Sequence, residues 1–127
     1  MRQALDDARV GASDVVLVNA HATGTPQGDA IEARLVERVF GPDTAVTSTK
    51  GVTGHMLGAA GAVEAAFTAL SVDRGVIPPT ANFHSPGADA AGIDIVHGAP
   101  RHAPVPLAVS NSFGFGGHNA VVVLGSV

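Results

Sequence analysis

Lys50-Gly51-Val52-Thr53-Gly54-His55-Met56-Leu57-Gly58-Ala59-Ala60-Gly61-Ala62-Val63-Glu64 contains the only lysine of the chain, a histidine five positions on and four glycines. It runs straight into the apolar stretch Ala65-Ala66-Phe67-Thr68-Ala69-Leu70. A glycine-rich turn feeding a helix leaves unpaired backbone N–H groups facing the turn, where an acyl or phosphate-bearing ligand can be held. The same pattern also serves as plain tight packing under a helix. Ahead of it, Ala45-Val46-Thr47-Ser48 reads as a short strand. A strand, a glycine turn and an apolar helix in succession are the repeating unit of an α/β layer.

The rest of the chain extends that unit in both directions. Ala4, Leu5, Ala8 and Arg9 fall at helical spacing and Gly11 is a natural stop. A helix starting at residue 1, with no strand before it to pack on, implies that the chain opens partway through a larger fold. Val15-Val16-Leu17-Val18-Asn19 is a continuous apolar run of the kind found in a strand buried on both faces of a parallel sheet. A polar loop, residues 21–29, follows. Ala30 to Phe40 predicts an amphipathic helix with Ile31, Leu35, Val39 and Phe40 as its apolar stripe, ended by Gly41-Pro42. A long helix runs from about Gly58 to Val72 or Arg74, and Ile77-Pro78-Pro79-Thr80 is an extended connector. Residues 82–92 are loop and Ile93 to Val96 a short strand. Leu107 to Asn111 and Asn119 to Leu124 are two strands forming a hairpin around Ser112 to His118. The expected fold class is α/β, a layered mixed β-sheet with α-helices in the order βαβα followed by two or three strands. No repeat or linker divides residues 1–127, so one domain is expected.

Composition narrows the function. With 46% hydrophobic and 14% charged residues the chain can fill a core. A net charge of -4 with one lysine and six arginines gives no basic face for nucleic acid. The apolar runs are far too short to span a membrane, and no signal segment opens the chain, so a cytoplasmic setting is expected. Without cysteine there is no disulfide, thiolate metal site or thiol nucleophile.

Three loops each follow the end of a predicted strand: His21 to Asp29, Thr49 to Gly58, and Ser112 to His118. Ligands of open α/β sheets bind beyond the carboxyl ends of the strands, so these loops can meet in one site. They would bring together His21, Lys50, His55 and the backbone around Phe113 and Phe115. Two histidines can donate to a developing oxyanion, or one can act as a general base. Glycines around Phe115 allow backbone N–H groups close to a substrate. Thr23 and Thr25 offer hydroxyls to an amide-containing ligand arm, and Phe113 and Phe115 can wall an acyl pocket. An activated nucleophile is missing: there is no Cys, and no Ser sits in a G-x-S-x-G elbow. No carboxylate or third histidine lies at a metal-ligand spacing from His21 and His55, so no metal is expected. His84, His97 and His102 read as surface residues, and His118 carries no assignable role.

Three motifs in order, Asn19-Ala20-His21-Ala22-Thr23-Gly24-Thr25-Pro26-x-Gly28-Asp29, Ser48-Thr49-Lys50-Gly51-x-Thr53-Gly54-His55-x-Leu57-Gly58-Ala59-Ala60-Gly61 and Asn111-Ser112-Phe113-Gly114-Phe115-Gly116-Gly117, resemble the β-ketoacyl-acyl-carrier-protein synthases. These are condensing enzymes of fatty acid and polyketide synthesis with a thiolase-like fold. Ile77 to Asn82 is similar to the segment after the family's long helix. The resemblance covers essentially the whole chain and implies the C-terminal half alone. The N-terminal half, which carries the family's nucleophilic cysteine, is absent. By the same resemblance His21 and His55 match the catalytic histidines, Lys50 the active-site lysine and Glu64 its glutamate partner. Thr23 and Thr25 match contacts to the phosphopantetheine arm. The Phe115 backbone N–H matches an oxyanion donor, its side chain a gate, and Phe113 stands beside it. The implied activity is decarboxylative Claisen condensation of malonyl carrier protein with an acyl group. No cofactor is implied beyond the carrier's own arm. The implied partners are acyl carrier protein, the missing N-terminal half and, in the complete enzyme, a second copy as homodimer. Without a nucleophile the isolated chain is expected to be inactive. The alternatives are a non-catalytic remnant or docking partner of a complete synthase, and a relative acting on coenzyme A esters.

Overall fold

A computed structural model describes residues 1–126. Its main sheet has five strands in the order β4-β2-β1-β6-β7. They are β1 (Leu17–Asn19), β2 (Ala45–Thr47), β4 (Asp94–Ile95), β6 (Leu107–Phe113) and β7 (Asn119–Gly125). β1 lies parallel between β2 and β6, pairing Leu17 with Ala45 and with Ala108, and β4 joins β2 in parallel. Only β7 runs antiparallel, as the return arm of the hairpin with β6. A two-stranded antiparallel ribbon, β3 (Val76–Ile77) with β5 (Arg101–His102), stands apart. The fold class is α/β with a mixed sheet. Of the strands after the long helix, three enter the main sheet. The ribbon lies partly in the predicted connector Ile77 to Thr80 and partly in a stretch where no strand was expected. Two-residue strands carry too few side chains for an alternating pattern to be read.

Side-chain alternation in the strands sorts the core into two layers. Val18, Val46 and Val109 point to one face and pack with Leu5 of α1 (Arg2–Ala8) and Val36 and Phe40 of α2 (Pro26–Phe40). Leu17, Ala45 and Ala108 point to the other and pack with Ile77, Val96, Val105 and Val72 of α4 (Ala60–Arg74). Leu17, Val18, Ala108 and Val109 are wholly buried. Each such Leu or Val stabilises the fold by roughly 1.5–3 kcal/mol.

Both long helices depart from the sequence reading. α2 starts at Pro26, four residues earlier than expected, because proline suits the first helical position, where its missing N–H costs nothing. Its buried residues are Glu32, Ala33, Val36 and Phe40, whereas Ile31 is largely exposed. The buried stripe is therefore rotated away from Ile31 and Leu35, while Val39 and Phe40 pack on the core as expected. In α4 the side turned inward is mainly polar: Glu64, Thr68 and Ser71 are buried beside Ala60 and Val72, while Phe67 is 37% and Leu70 44% exposed. Asn19 at the end of β1 ties this inner side to the sheet, its Nδ2 donating to Glu64 O at 3.2 Å and Thr68 Oγ1 at 3.1 Å. The outward side of α4 is an apolar surface left uncovered among the described residues.

At the β4 edge, Arg101 and Asp94 form a two-pronged ion pair, with Nη2 donating to Oδ1 at 2.8 Å. Arg101 holds the Asp94 carboxyl below its ordinary value of 3.8. The pair therefore contributes stability above about pH 4 and loses it as pH falls through the depressed value. Arg101→Ala should cost about 0.2–1 kcal/mol at pH 7, since both side chains are part-exposed, and almost nothing at the acid end. Denaturant unfolding at several pH values checks this; an equal cost at both ends would be inconsistent with the pair.

Candidate active site

β1, β2 and β6 are parallel, so their carboxyl ends open on one edge of the sheet. His21 follows β1, Lys50 follows β2, and Phe113 ends β6. The His21 and His55 rings stand edge to face with centroids 5.4 Å apart, and Phe113 packs on His21 at 5.9 Å. The rings line a groove of about 920 Å3 together with Thr23, Thr25 and Phe115. The three loops thus converge as the strand ends required.

Burial keeps the His21 imidazole below its ordinary value of 6.5, helped by the cationic Lys50 and by His55. It is therefore neutral at physiological pH. The Leu57 N–H donates to His55 Nδ1 at 3.3 Å. An imidazole accepting at Nδ1 in its neutral form carries the proton on Nε2 and can donate from there. Both histidine loops hold non-glycine residues at positive φ, Ala22 at 29° and Leu57 at 52°. Such conformations cost of order 1–3 kcal/mol each and persist where surrounding contacts enforce them.

Lys50 does not sit in a loop. It opens the one-turn helix α3 (Lys50–Thr53), concealed in the sequence by Gly51 within it and Gly54 directly after it. Its ammonium is ion-paired with Glu64 of α4, and the two residues are 8% and 1% exposed. Neither lines the groove; the pair lies buried behind it. Gly61 lets α4 start close to β6, since a Cβ there would lie 3.1 Å from Ser112 Oγ. Phe115 is fully exposed at the tip of the β6–β7 turn, where Gly116 and Gly117 take φ of 69° and 80° that only glycine adopts readily. His84, His97, His102 and His118 are all exposed.

One residue of this site went unread in the sequence. Glu32 is buried, and its carboxylate accepts from His21 N–H (2.9 Å), Ala22 N–H (2.8 Å) and Asn111 Nδ2 (3.0 Å). It ties α2 and β6 to the backbone of the first histidine. The available signal was a second stripe on the helix, Ala33, Val36 and Phe40, which puts position 32 on the inner face; larger side chains at Ile31 and Leu35 outweighed it. Those two line the groove instead. Glu32→Ala leaves three donors without their acceptor and should cost about 3 kcal/mol or more. Thermal unfolding of a synthase containing this sequence checks it, and a loss below 1 kcal/mol would rule out the tie.

Residues 1–84 match the family model described as beta-ketoacyl synthase, C-terminal domain. The chain belongs to the β-ketoacyl synthase family. It is 42% identical over 130 residues to a 3-oxoacyl-[acyl-carrier-protein] synthase 2 of Coxiella burnetii, covering all of this chain and 31% of that protein. A β-ketoacyl synthase structure from Burkholderia phymatum superposes with a TM-score of 0.96 at 36% identity, again over 100% of this chain and 31% of that one. A type II polyketide ketosynthase, solved with its acyl-carrier protein and bound to the hexaketide, aligns over 99% of this chain and 31% of its own length. Its TM-score is 0.90 at 29% identity. These neighbours give the ketosynthase sequence a thiolase-like fold. The chain spans about a third of the length of the relatives it matches.

Proposed function

We propose that this sequence supplies the carbanion-forming side of a β-ketoacyl synthase site in fatty acid or polyketide elongation. The observation that carries the reading is the pair of imidazoles 5.4 Å apart in one groove, with the buried Lys50–Glu64 ion pair behind them. In the reaction, a malonyl thioester loses carbon dioxide, and the electron pair of the broken bond passes into the enolate. His21 and His55 donate hydrogen bonds to the enolate oxygen as its charge develops, a stabilisation that a neutral imidazole provides without adding a full charge. The enolate carbon attacks the carbonyl of an acyl group held as a cysteine thioester. The C–C bond forms, the C–S bond breaks, and the thiolate departs.

The cysteine would come from the part of the synthase outside this sequence. That reading is supported by the absence of any cysteine here, by the one-third coverage of the relatives and by the uncovered apolar side of α4. Lys50 and Glu64 act from behind the groove, Lys50 adding to burial in keeping His21 neutral. Phe115 supplies a backbone N–H to the thioester oxygen and a movable wall to the acyl pocket. The hydroxyls of Thr23 and Thr25, 3.3 Å apart and lining the groove, receive the phosphopantetheine arm of an acyl carrier protein. That arm belongs to the substrate, so the reaction needs no resident cofactor. A cytoplasmic, homodimeric synthase fits this chemistry. Intact His21, His55, Lys50 and Glu64 favour it over a non-catalytic docking partner, which has no use for them.

The test is condensation of malonyl and acyl carrier proteins by a complete synthase whose C-terminal part is this sequence. The 127-residue chain serves as control. Turnover by the complete protein alone is the expected result. Turnover by the short chain would show that no outside cysteine is needed and would overturn this reading.

A further inference from the structure

We infer that Pro78–Asn82 is a strap that positions the Lys50–His55 turn, with Asn82 as its positioning residue; what the turn does rests on the function proposed above. α3 has four residues, too few to hold a helical conformation alone. Its own backbone bonds are Val52 N–H and Thr53 N–H to Thr49 O, and Gly54 N–H to Lys50 O. Yet the direction of the Lys50 side chain towards Glu64 and the path of the backbone to His55 both depend on how this turn is oriented. Glu64 is fixed on α4, whose backbone at that residue accepts from Asn19 and Thr68. The orientation of α3 must therefore be set from its other side.

Residues 78–82 lie along that side, bonded to 47–51 at successive points. Thr47 Oγ1 donates to Pro78 O at 2.6 Å. Ser48 N–H donates to Thr80 Oγ1 at 3.1 Å. Asn82 Nδ2 donates to Gly51 O at 2.9 Å. The strap is itself anchored by Thr80 N–H donating to Val96 O at 2.8 Å. Its final contact is steric. A Cβ on Gly51 would fall 2.3 Å from Ala81 O and 3.0 Å from Ala81 C, both backbone atoms. Gly51 is not among the residues at positive φ, so the absence of a side chain there is required by the strap and not by conformation. Asn82 itself takes φ of 60°, a left-handed conformation that asparagine tolerates better than most residues. That conformation accompanies a side-chain bond to the carbonyl one residue beyond Lys50. The bond lies at the surface, so its loss does not open the core.

The experiment uses a complete synthase carrying this sequence, with variants Asn82→Gly, Asn82→Asp and Gly51→Ala. Glycine keeps the left-handed φ and removes the bond. Aspartate keeps the shape and turns an acceptor towards Gly51 O. Alanine at 51 collides with the strap. Asn82→Gly should lower kcat for condensation about tenfold and Asn82→Asp further, with KM for malonyl carrier protein and the rate of acyl loading within about twofold of the parent. Gly51→Ala should lower kcat about 100-fold. Amide exchange of Val52, Thr53 and Gly54 should accelerate in the same order. Unchanged exchange in all three variants overturns the strap. Faster exchange with kcat unchanged, or with acyl loading reduced as much as condensation, overturns the positioning role. A parent protein that does not condense refutes the proposed function, and exchange still decides whether the strap holds the turn.

Discussion

Replacing His55 by alanine in a complete synthase built on this sequence should lower the condensation rate by about 10³- to 10⁴-fold, and His21→Ala should do the same. In the proposed mechanism each change removes a donor from the place where enolate charge develops, and besides this pair the groove is lined by one further imidazole, the exposed His118. The two losses should not add. Both rings face one charge, so the double variant should be little worse than either single one. Folding should be largely spared in His55→Ala, because His55 is exposed and its one side-chain bond runs to Leu57 two residues on. Single-turnover assays of malonyl decarboxylation separate these outcomes. Activity within tenfold of the parent in both single variants would remove the histidines from the mechanism.

Lys50→Met should destabilise the protein by about 3–5 kcal/mol, because it leaves Glu64 buried and unpaired. Lys50→Met/Glu64→Gln should recover most of that loss, since a neutral pair of similar volume carries no uncompensated charge. The single variant should also move the titration of His21 upward. Burial is the main cause of its depressed value, and Lys50 is the next. Removing the lysine withdraws one depressing charge and leaves Glu64, which acts in the opposite sense. The midpoint in the parent lies below 6.5; in that protein, stability falls as pH drops from 6.5 through the depressed value, because the unfolded chain takes up the proton first. Histidine-selective NMR with denaturant unfolding at each pH measures both effects. A midpoint unmoved by Lys50→Met would remove the lysine as an electrostatic partner of His21.

The placement of these residues follows from where the strands end, and that much could be read in the sequence. Val15 to Asn19 opens with four apolar residues in a row, which predicts a buried parallel strand, and Ala45 to Ser48 reads as a second short strand. Parallel strands put the loops that follow them on one edge. Hence His21, Lys50, His55 and Phe113 could be placed in a common site before any distance was known. The hairpin of β6 and β7 was equally legible, since its turn needs positive φ and supplies glycines at 116 and 117.

Helix faces were read less well. Ile31, Leu35 and Val39 form a regular stripe, but periodicity shows only that a face is apolar and leaves open what it meets. Here the first two border the groove, and the face turned to the core carries Glu32. The same holds for α4, whose inner side carries Glu64, Thr68 and Ser71 where Asn19 and Lys50 meet it, and whose large apolar residues Phe67 and Leu70 face away. α3 was hidden because Gly51 and Gly54 argue against a helix locally. The contacts that hold it come from residues about thirty positions later.

From the sequence alone followed the α/β class, the order of the main-sheet strands along the chain, the convergence of three loops and the absence of a thiol. These depend on local patterns: runs of apolar residues, the spacing of glycines, the presence or lack of a side-chain type. The tertiary structure decided which face of each helix is inside, that Lys50 is buried against Glu64, that the Glu32 carboxylate accepts from the His21 backbone and that residues 78–82 bond to residues 47, 48 and 51. Each is a pairing between residues distant in sequence. The physical reason is that burying a charge or bending a short helix becomes tolerable only when its partner is supplied from elsewhere in the fold, and local propensity carries no record of that partner.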